Sequence, residues 1–162
     1  MADIYISLGS NVNRMANVKA GLVALENTFG QLTLSSLFAS EAVGFKGAEF
    51  YNMVIKATTT FSVEIVAEKL RAIEFTYGRE QNAKKFSPRT LDLDLLLFDH
   101  LIIDQPVQLP RAEITENAFV LWPLAEIAPL LVHPIKQINY QTLWQGYTQE
   151  QQLEKVAFTW PE

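Results

Sequence analysis

Cysteine is absent from this 162-residue chain, and histidine occurs only at His100 and His133. The first absence excludes a disulfide scaffold, a zinc-thiolate centre and a thiol nucleophile, and it fits a reducing compartment. Long apolar runs are also missing. The longest, such as residues 118–125, fall far short of the roughly 20 residues of a membrane span. Met1-Ala2-Asp3 lacks the basic start of a secretory leader. A cytoplasmic protein with no membrane partner is expected. There is no basic excess either: 13 Lys and Arg face 18 Asp and Glu, for a formal net charge of −5. That balance speaks against DNA or RNA as a partner. Neither a Walker-type nor a kinase-type glycine loop is present, so the chain is not a P-loop enzyme. Repeats, low-complexity tracts and dividing linkers are absent as well. One domain over residues 1–162 is expected, large enough to bury roughly 70% of its unfolded surface.

The pattern that is present alternates strands and helices. Residues 4–8 read as a buried strand stopped by Gly9-Ser10-Asn11. Val18, Leu22, Leu25 and Phe29 recur at helical spacing, and Gly30 suits a C-terminal cap. Residues 32–38 predict a second strand, 40–49 an exposed loop, and 50–60 a third strand rich in β-branched residues. Ser62 can cap a helix lined by Val63, Val66, Leu70, Ile73 and Tyr77. A polar loop over 78–89 leads to a fourth strand, 90–98, and a short strand near 101–104. Residues 115–127 predict a helix with Pro123 inside it, 139–147 a last helix, and 156–158 a closing strand. The order β-α-β-β-α-β matches the ferredoxin-like split βαβ arrangement. The expected class is α+β: an antiparallel sheet with additional C-terminal helices in three layers.

Chemistry concentrates in Arg89-Thr90-Leu91-Asp92-Leu93-Asp94-Leu95-Leu96-Leu97-Phe98. Side chains alternate faces along a strand, so Thr90, Asp92 and Asp94 share one face. Leu91, Leu93, Leu95 and Leu97 share the other, which reads as core. The two aspartates lie about 7 Å apart at their Cα atoms. Carboxylates this close repel unless a cation sits between them. Hard oxygen donors suit Mg²⁺, which takes one or two carboxylates plus substrate phosphates. Taken alone, the pair fits a solvated acidic sheet face equally well. Residues 69–89 add Lys69, Arg71, Arg79, Lys84, Lys85 and Arg89 against only Glu74 and Glu80. The acidic body thus carries one basic segment, suited to a small polyphosphate whose transfer depends on positioning and charge neutralisation.

With these residues in place, the chain resembles the 6-hydroxymethyl-7,8-dihydropterin pyrophosphokinase family over nearly its whole length, to about Pro134. The resemblance rests on Tyr5-Ile6-Ser7-Leu8-Gly9-Ser10-Asn11, Ser40-Glu41-Ala42-Val43-Gly44-Phe45, Phe50-Tyr51-Asn52, and Glu74 with Gly78-Arg79. It rests further on Ser87-Pro88-Arg89-Thr90-Leu91-Asp92-Leu93-Asp94 and Phe119-Val120-Leu121-Trp122-Pro123-Leu124. The resemblance implies diphosphate transfer from ATP to the pterin hydroxymethyl group, with release of AMP, in folate biosynthesis. It implies two Mg²⁺ ions on Asp92 and Asp94, with Arg79 and Arg89 beside them as catalytic cations. Ser40, Val43, Phe50, Asn52 and Phe119 would bind the pterin, the two phenylalanines sandwiching the ring. Glu74, Arg79, Lys84, Lys85, Phe86, Arg89, Leu95 and Arg111 would bind ATP, Phe86 covering the site where the family has tryptophan. A monomer acting on small molecules is expected. Independently, aromatic faces suit a flat heterocycle, and an amide reads a pterin edge with both donor and acceptor.

Four positions depart from the family pattern. A second loop arginine is Gln81, a histidine is Arg111, an arginine is Asn117, and a proline is Ala42 in a loop one residue shorter. Two other readings follow: a divergent member with altered or lost turnover, and a non-catalytic ferredoxin-like binding module. His133 reads as a structural or capping residue, His100 as solvated, and Trp122 as core.

Overall fold

The computed structural model describes residues 1–40, 50–77, 91–149 and 151–161. Its elements run β1 (Ala2–Ser10), α1 (Arg14–Phe29), β2 (Thr33–Leu34), β3 (Leu37–Ser40), β4 (Phe50–Thr59), α2 (Val63–Thr76), β5 (Asp92–Phe98), α3 (Glu113–Glu116), α4 (Ala118–Ile127), α5 (Tyr140–Gln145) and β6 (Leu153–Val156). The strands form one antiparallel sheet in the order β5-β1-β4-β3-β6, with β2 also on β4. β1 lies between β4 and β5 and is buried on both faces.

Two apolar clusters explain the layers. Ile4, Ile6 and Leu8 of β1 pack with Val18, Leu22 and Leu25 of α1 and with Val66, Leu70 and Ile73 of α2. Burying each such side chain contributes about 1.5–3 kcal/mol. Tyr5, Val54, Leu96 and Leu97 pack on the other face with Ile114, Val120, Leu121, Leu124 and Tyr140. The three layers expected from the sequence are therefore present. α1 approaches the sheet closely at Gly21, where a Cβ would stand 3.1 Å from Leu8 and 3.2 Å from Leu91. Ser62 caps α2 by accepting from Ile65 N–H, and Asn139 caps α5 by accepting from Thr142 N–H. Among the described residues no helix is long and apolar enough to cross a membrane.

Several boundaries differ from the sequence reading, each for a local reason. Gly9 does not stop the first strand, which runs through Ser10. The expected strand over 32–38 is two strands. Between them the buried Ser35 accepts Val54 N–H on its Oγ at 2.9 Å, a place the ladder would give to a backbone carbonyl. Ser36 then turns outward, donating its N–H and its hydroxyl to Glu126. Burial alone would raise the Glu126 pKa; those donors and Lys155 outweigh it and hold the carboxyl below its ordinary value. Leu97 leaves the face of Leu93 and Leu95. The register with β1 shifts between Tyr5 and Ile6, opposite Leu97 and Leu95, so Leu96 is the extra residue of a bulge and the alternation inverts beyond it. The helix expected over 115–127 is broken at Asn117 into α3 and α4. Pro123 remains inside α4, where it has no N–H to give the Phe119 carbonyl. The strand expected near 101–104 is reduced to a single bridge, Ile103 to Leu109. The closing strand lies at Leu153–Val156 rather than 156–158.

Candidate active site

The site follows from the register of three strands. Gly9 pairs with Asn52 on one side and with Asp92 on the other, and Ser7 pairs with Asp94. Paired residues share a face, so Asp92, Gly9 and Asn52 form one row, with Asp94 and Ser7 in the next. Gly9 keeps the middle of the first row open: a Cβ there would meet Asn52 Oδ1 at 3.2 Å. Above these rows lies a cleft of ≈ 340 Å³, lined by both aspartates, Phe50 and Asn52 from the sheet and by Arg111, Glu113 and Phe119 from the segment opposite. Ser7, Gly9, Ser40, Leu96 and Val120 complete its lining.

Asn52 is buried and donates from Nδ2 to Ser40 Oγ at 2.6 Å. This bond fixes the amide plane. The Ser40 hydroxyl thereby orients Asn52. Phe50 and Phe119 come from opposite walls, β4 and α4, and remain partly exposed toward the cleft.

A second cavity of ≈ 130 Å³ lies on the α2 side and is lined by Glu74, Leu93, Leu95 and Arg71, among others. Asp94 and Arg111 border both cavities. That is possible because β5 is the edge strand. Its outer backbone is satisfied locally: Leu93 N–H donates to Glu74 Oε2 at 3.0 Å, and Arg111 N–H donates to Leu96 O at 3.0 Å. The buried Glu74 is therefore held on the strand that carries the aspartates.

The structure thus brings Ser40, Phe50, Asn52, Phe119, Asp92 and Asp94 into one cleft. It gathers Glu74, Leu95 and Arg111 at the adjoining cavity. Val43, Arg79, Lys84, Lys85, Phe86, Arg89, Ala42 and Gln81 lie outside the described residues. The sequence reading assigned no site role to Ser7, Gly9, Leu96, Glu113 or Val120. Ser7 and Gly9 alternate on a strand, which was a usable signal; Glu113 had none beyond its nearness to Arg111. His133 is buried, and its Nδ1 accepts the N–H groups of Ile135 and Lys136, the capping role expected. His100 is exposed. Trp122 is only partly buried, stacked on Trp144 and tilted against Phe38.

The donor set fits Mg²⁺. Two carboxylates sit two residues apart on one open face, and among the described residues no group of three or more His, Asp or Glu assembles a closed protein cage. A hard cation with few protein ligands leaves room for substrate oxygens.

Comparison with known proteins bears on the family and on the fold. The chain is 33% identical over 138 residues to 2-amino-4-hydroxy-6-hydroxymethyldihydropteridine pyrophosphokinase of Aquifex aeolicus, covering 83% of this chain and 86% of that protein. It is 35% identical to the Pseudomonas aeruginosa protein of the same name, covering 81% and 83%. A folate synthesis bifunctional protein of Arabidopsis thaliana is 36% identical over 129 residues, where the chain matches 27% of that longer protein. Among solved structures, a triple mutant of Plasmodium falciparum HPPK-DHPS with STZ-DHP superposes with a TM-score of 0.74 at 13% identity, over 90% of this chain and 43% of that one. That likeness concerns the fold alone. The family model for 7,8-dihydro-6-hydroxymethylpterin-pyrophosphokinase matches residues 5–129, which hold both aspartates, both cleft phenylalanines and Asn52. The chain belongs to the 7,8-dihydro-6-hydroxymethylpterin-pyrophosphokinase family.

Proposed function

We propose that this chain transfers diphosphate from ATP to the hydroxymethyl group of 6-hydroxymethyl-7,8-dihydropterin, releasing AMP, as a monomer of one domain in the cytoplasm. One observation carries the reading. The carboxylates of Asp92 and Asp94 open into the same cleft as Phe50, Phe119 and the oriented amide of Asn52. A ring held between the phenylalanines, with its edge on Asn52, would direct its hydroxymethyl arm along the row toward the aspartates. Gly9 leaves that path clear.

The pterin hydroxyl oxygen displaces AMP at the β-phosphorus: one P–O bond forms, the bond to the α,β-bridging oxygen breaks, and the hydroxyl proton is released. Asp92 and Asp94 would hold two Mg²⁺ ions, which would supply charge neutralisation for the triphosphate. Arg111, with Arg79 and Arg89, supplies guanidinium donors whose fork matches phosphate oxygens. Glu74 fixes the height of β5 through Leu93 N–H and so the reach of Asp94. Lys84, Lys85, Phe86, Leu95, Val43 and Ser40 complete the substrate contacts in this reading. Positioning supplies the rate in such a reaction, because the transferring group needs little covalent assistance.

The test is direct. Purified protein with Mg-ATP and the hydroxymethyl dihydropterin should release AMP in step with pterin diphosphate. Folded protein that binds both substrates and yields no AMP would remove the catalytic reading.

A further inference from the structure

Arg111 stands where the family pattern has a histidine, and in the structure its guanidinium is shared between two acids. Nε lies 2.7 Å from Glu113 Oε2, and Nη2 lies 3.4 Å from Asp94 Oδ1. Glu113 Oε2 is shielded from solvent and meets Nε as a close ion pair, not as an aligned hydrogen bond. The tighter contact is therefore to the residue that takes no part in the carboxylate pair, and the looser one is to the residue that does. A guanidinium keeps its charge at any ordinary pH, so this ion pair responds to a competing cation at Asp94 or a competing anion at Arg111. Arg111 borders both cavities, so its free donors reach either one while Nε stays on Glu113.

We propose that Arg111 is a resident counter-ion of Asp94, positioned by Glu113, which makes binding of a divalent cation depend on the nucleotide. The proposal rests on the reading of Asp92 and Asp94 as the metal pair. A cation entering alone must displace the guanidinium from Asp94. A cation entering with a polyphosphate meets less opposition, because the phosphate gives the same guanidinium a bidentate partner. The coupling is reciprocal: the nucleotide tightens the cation by the factor with which the cation tightens the nucleotide. Glu113 is a positioning residue in this scheme. It divides the guanidinium's attraction and keeps it from settling wholly on Asp94.

The experiment titrates Mn²⁺ alone, followed as the free ion by electron paramagnetic resonance, and then Mn²⁺ with a non-hydrolysable ATP analogue. The proteins are the unaltered chain, Arg111→Gln, Glu113→Gln, the double variant and Asp94→Asn, each checked for folding by circular dichroism. Arg111→Gln should bind Mn²⁺ alone about two- to fivefold more tightly, the scale of a partly exposed ion pair. It should bind Mn²⁺ with the analogue about tenfold more weakly, having lost a charged donor to phosphate. Glu113→Gln should weaken Mn²⁺ alone, and that deficit should vanish in the double variant, because Glu113 acts through Arg111.

No gain in Arg111→Gln overturns the proposal. So does a Glu113 deficit that persists in the double variant, since Glu113 would then act directly on the cation. If the unaltered chain binds Mn²⁺ too weakly to measure, Arg111→Gln should bring binding into range, and failure to do so also overturns it. Asp94→Asn separates the two readings. Loss of Mn²⁺ in that variant with no gain in Arg111→Gln removes only the role of Arg111. Unchanged Mn²⁺ binding in Asp94→Asn removes the metal pair itself, and this proposal with it.

Discussion

The two walls of the cleft are built by different means. The sheet wall, with Asp92, Asp94, Asn52 and Gly9, is set by the ladder of β1, β4 and β5. Each of its side chains is placed by a backbone register, and the opposite face of those strands is sealed by α1 and α2. The facing wall, residues 111–120, has no ladder. It is fixed by helix packing, by the Arg111 N–H bond to Leu96 O, and by the ion pairs of Arg111. Two of the described departures from the family pattern, Arg111 and Asn117, lie on or beside this second wall, and none lies on the sheet wall. The positions that the resemblance marks as individual to this chain thus gather on the facing wall, which also holds Phe119 of the shared motif.

The sharpest way to break this comparison is at the sheet wall. Asp92→Ala or Asp94→Ala should lower AMP release by about 100-fold or more, the scale of losing a preorganised electrostatic partner. Neither change opens the core, so thermal melting should move little. A variant that retained turnover would mean that the sheet wall does not hold the chemistry.

Next come the two aromatic faces, one from each wall. Phe50→Ala and Phe119→Ala should each weaken pterin binding by an amount on the order of tenfold, since stacking a base on an aromatic ring contributes about 1–3 kcal/mol. Fluorescence titration with the dihydropterin measures both. Equal losses support a ring held between the walls. A loss confined to Phe50 would assign pterin binding to the sheet wall alone.

A smaller effect is expected where the sheet wall is tightest. Gly9→Ala places a methyl group 3.2 Å from Asn52 Oδ1, and Asn52 is already held by Ser40. The strain should cost about 1–3 kcal/mol of stability, as overpacking does. Chemical denaturation measures it, and pterin affinity should fall with it. An unstrained variant would show that the row has slack.

The comparison also explains what could be read from the sequence. Alternation along 92–98 was enough to place Asp92 and Asp94 on one open face, because a ladder enforces period two. Ser62 announced a helix start through its own side chain. The misread positions are those where a distant residue decides. The Leu96 bulge depends on how β1 pairs beyond Tyr5, so Leu97 could not be assigned its face from its own neighbours. Ser35 breaks a strand because Val54 N–H reaches its hydroxyl. Glu113 entered the cleft unannounced, since its importance depends on where Arg111 is anchored. The facing wall was legible as residue types but not as contacts.

The last and smallest prediction uses pH to loosen one wall and spare the other. His133 lies beneath the facing wall's layer, with its ring against Tyr140 at 6.0 Å between centroids. Burial, aided by Lys136, pushes its pKa below the ordinary value, and its Nδ1 must stay unprotonated to accept from Ile135 and Lys136. The unfolded chain therefore takes up the proton first. This contribution to stability is full above the unfolded value of about 6.5 and is lost as pH falls through it toward the lower folded value. Between pH 7 and pH 5, amide exchange in α4 and α5 should accelerate more, after correction for the intrinsic rate, than in the ladder of β1 with β4. His133→Asn keeps an acceptor but cannot titrate in this range, so it should remove the difference. Equal acceleration in both layers would mean that the walls open together, and the division between them would then be one of sequence and not of stability.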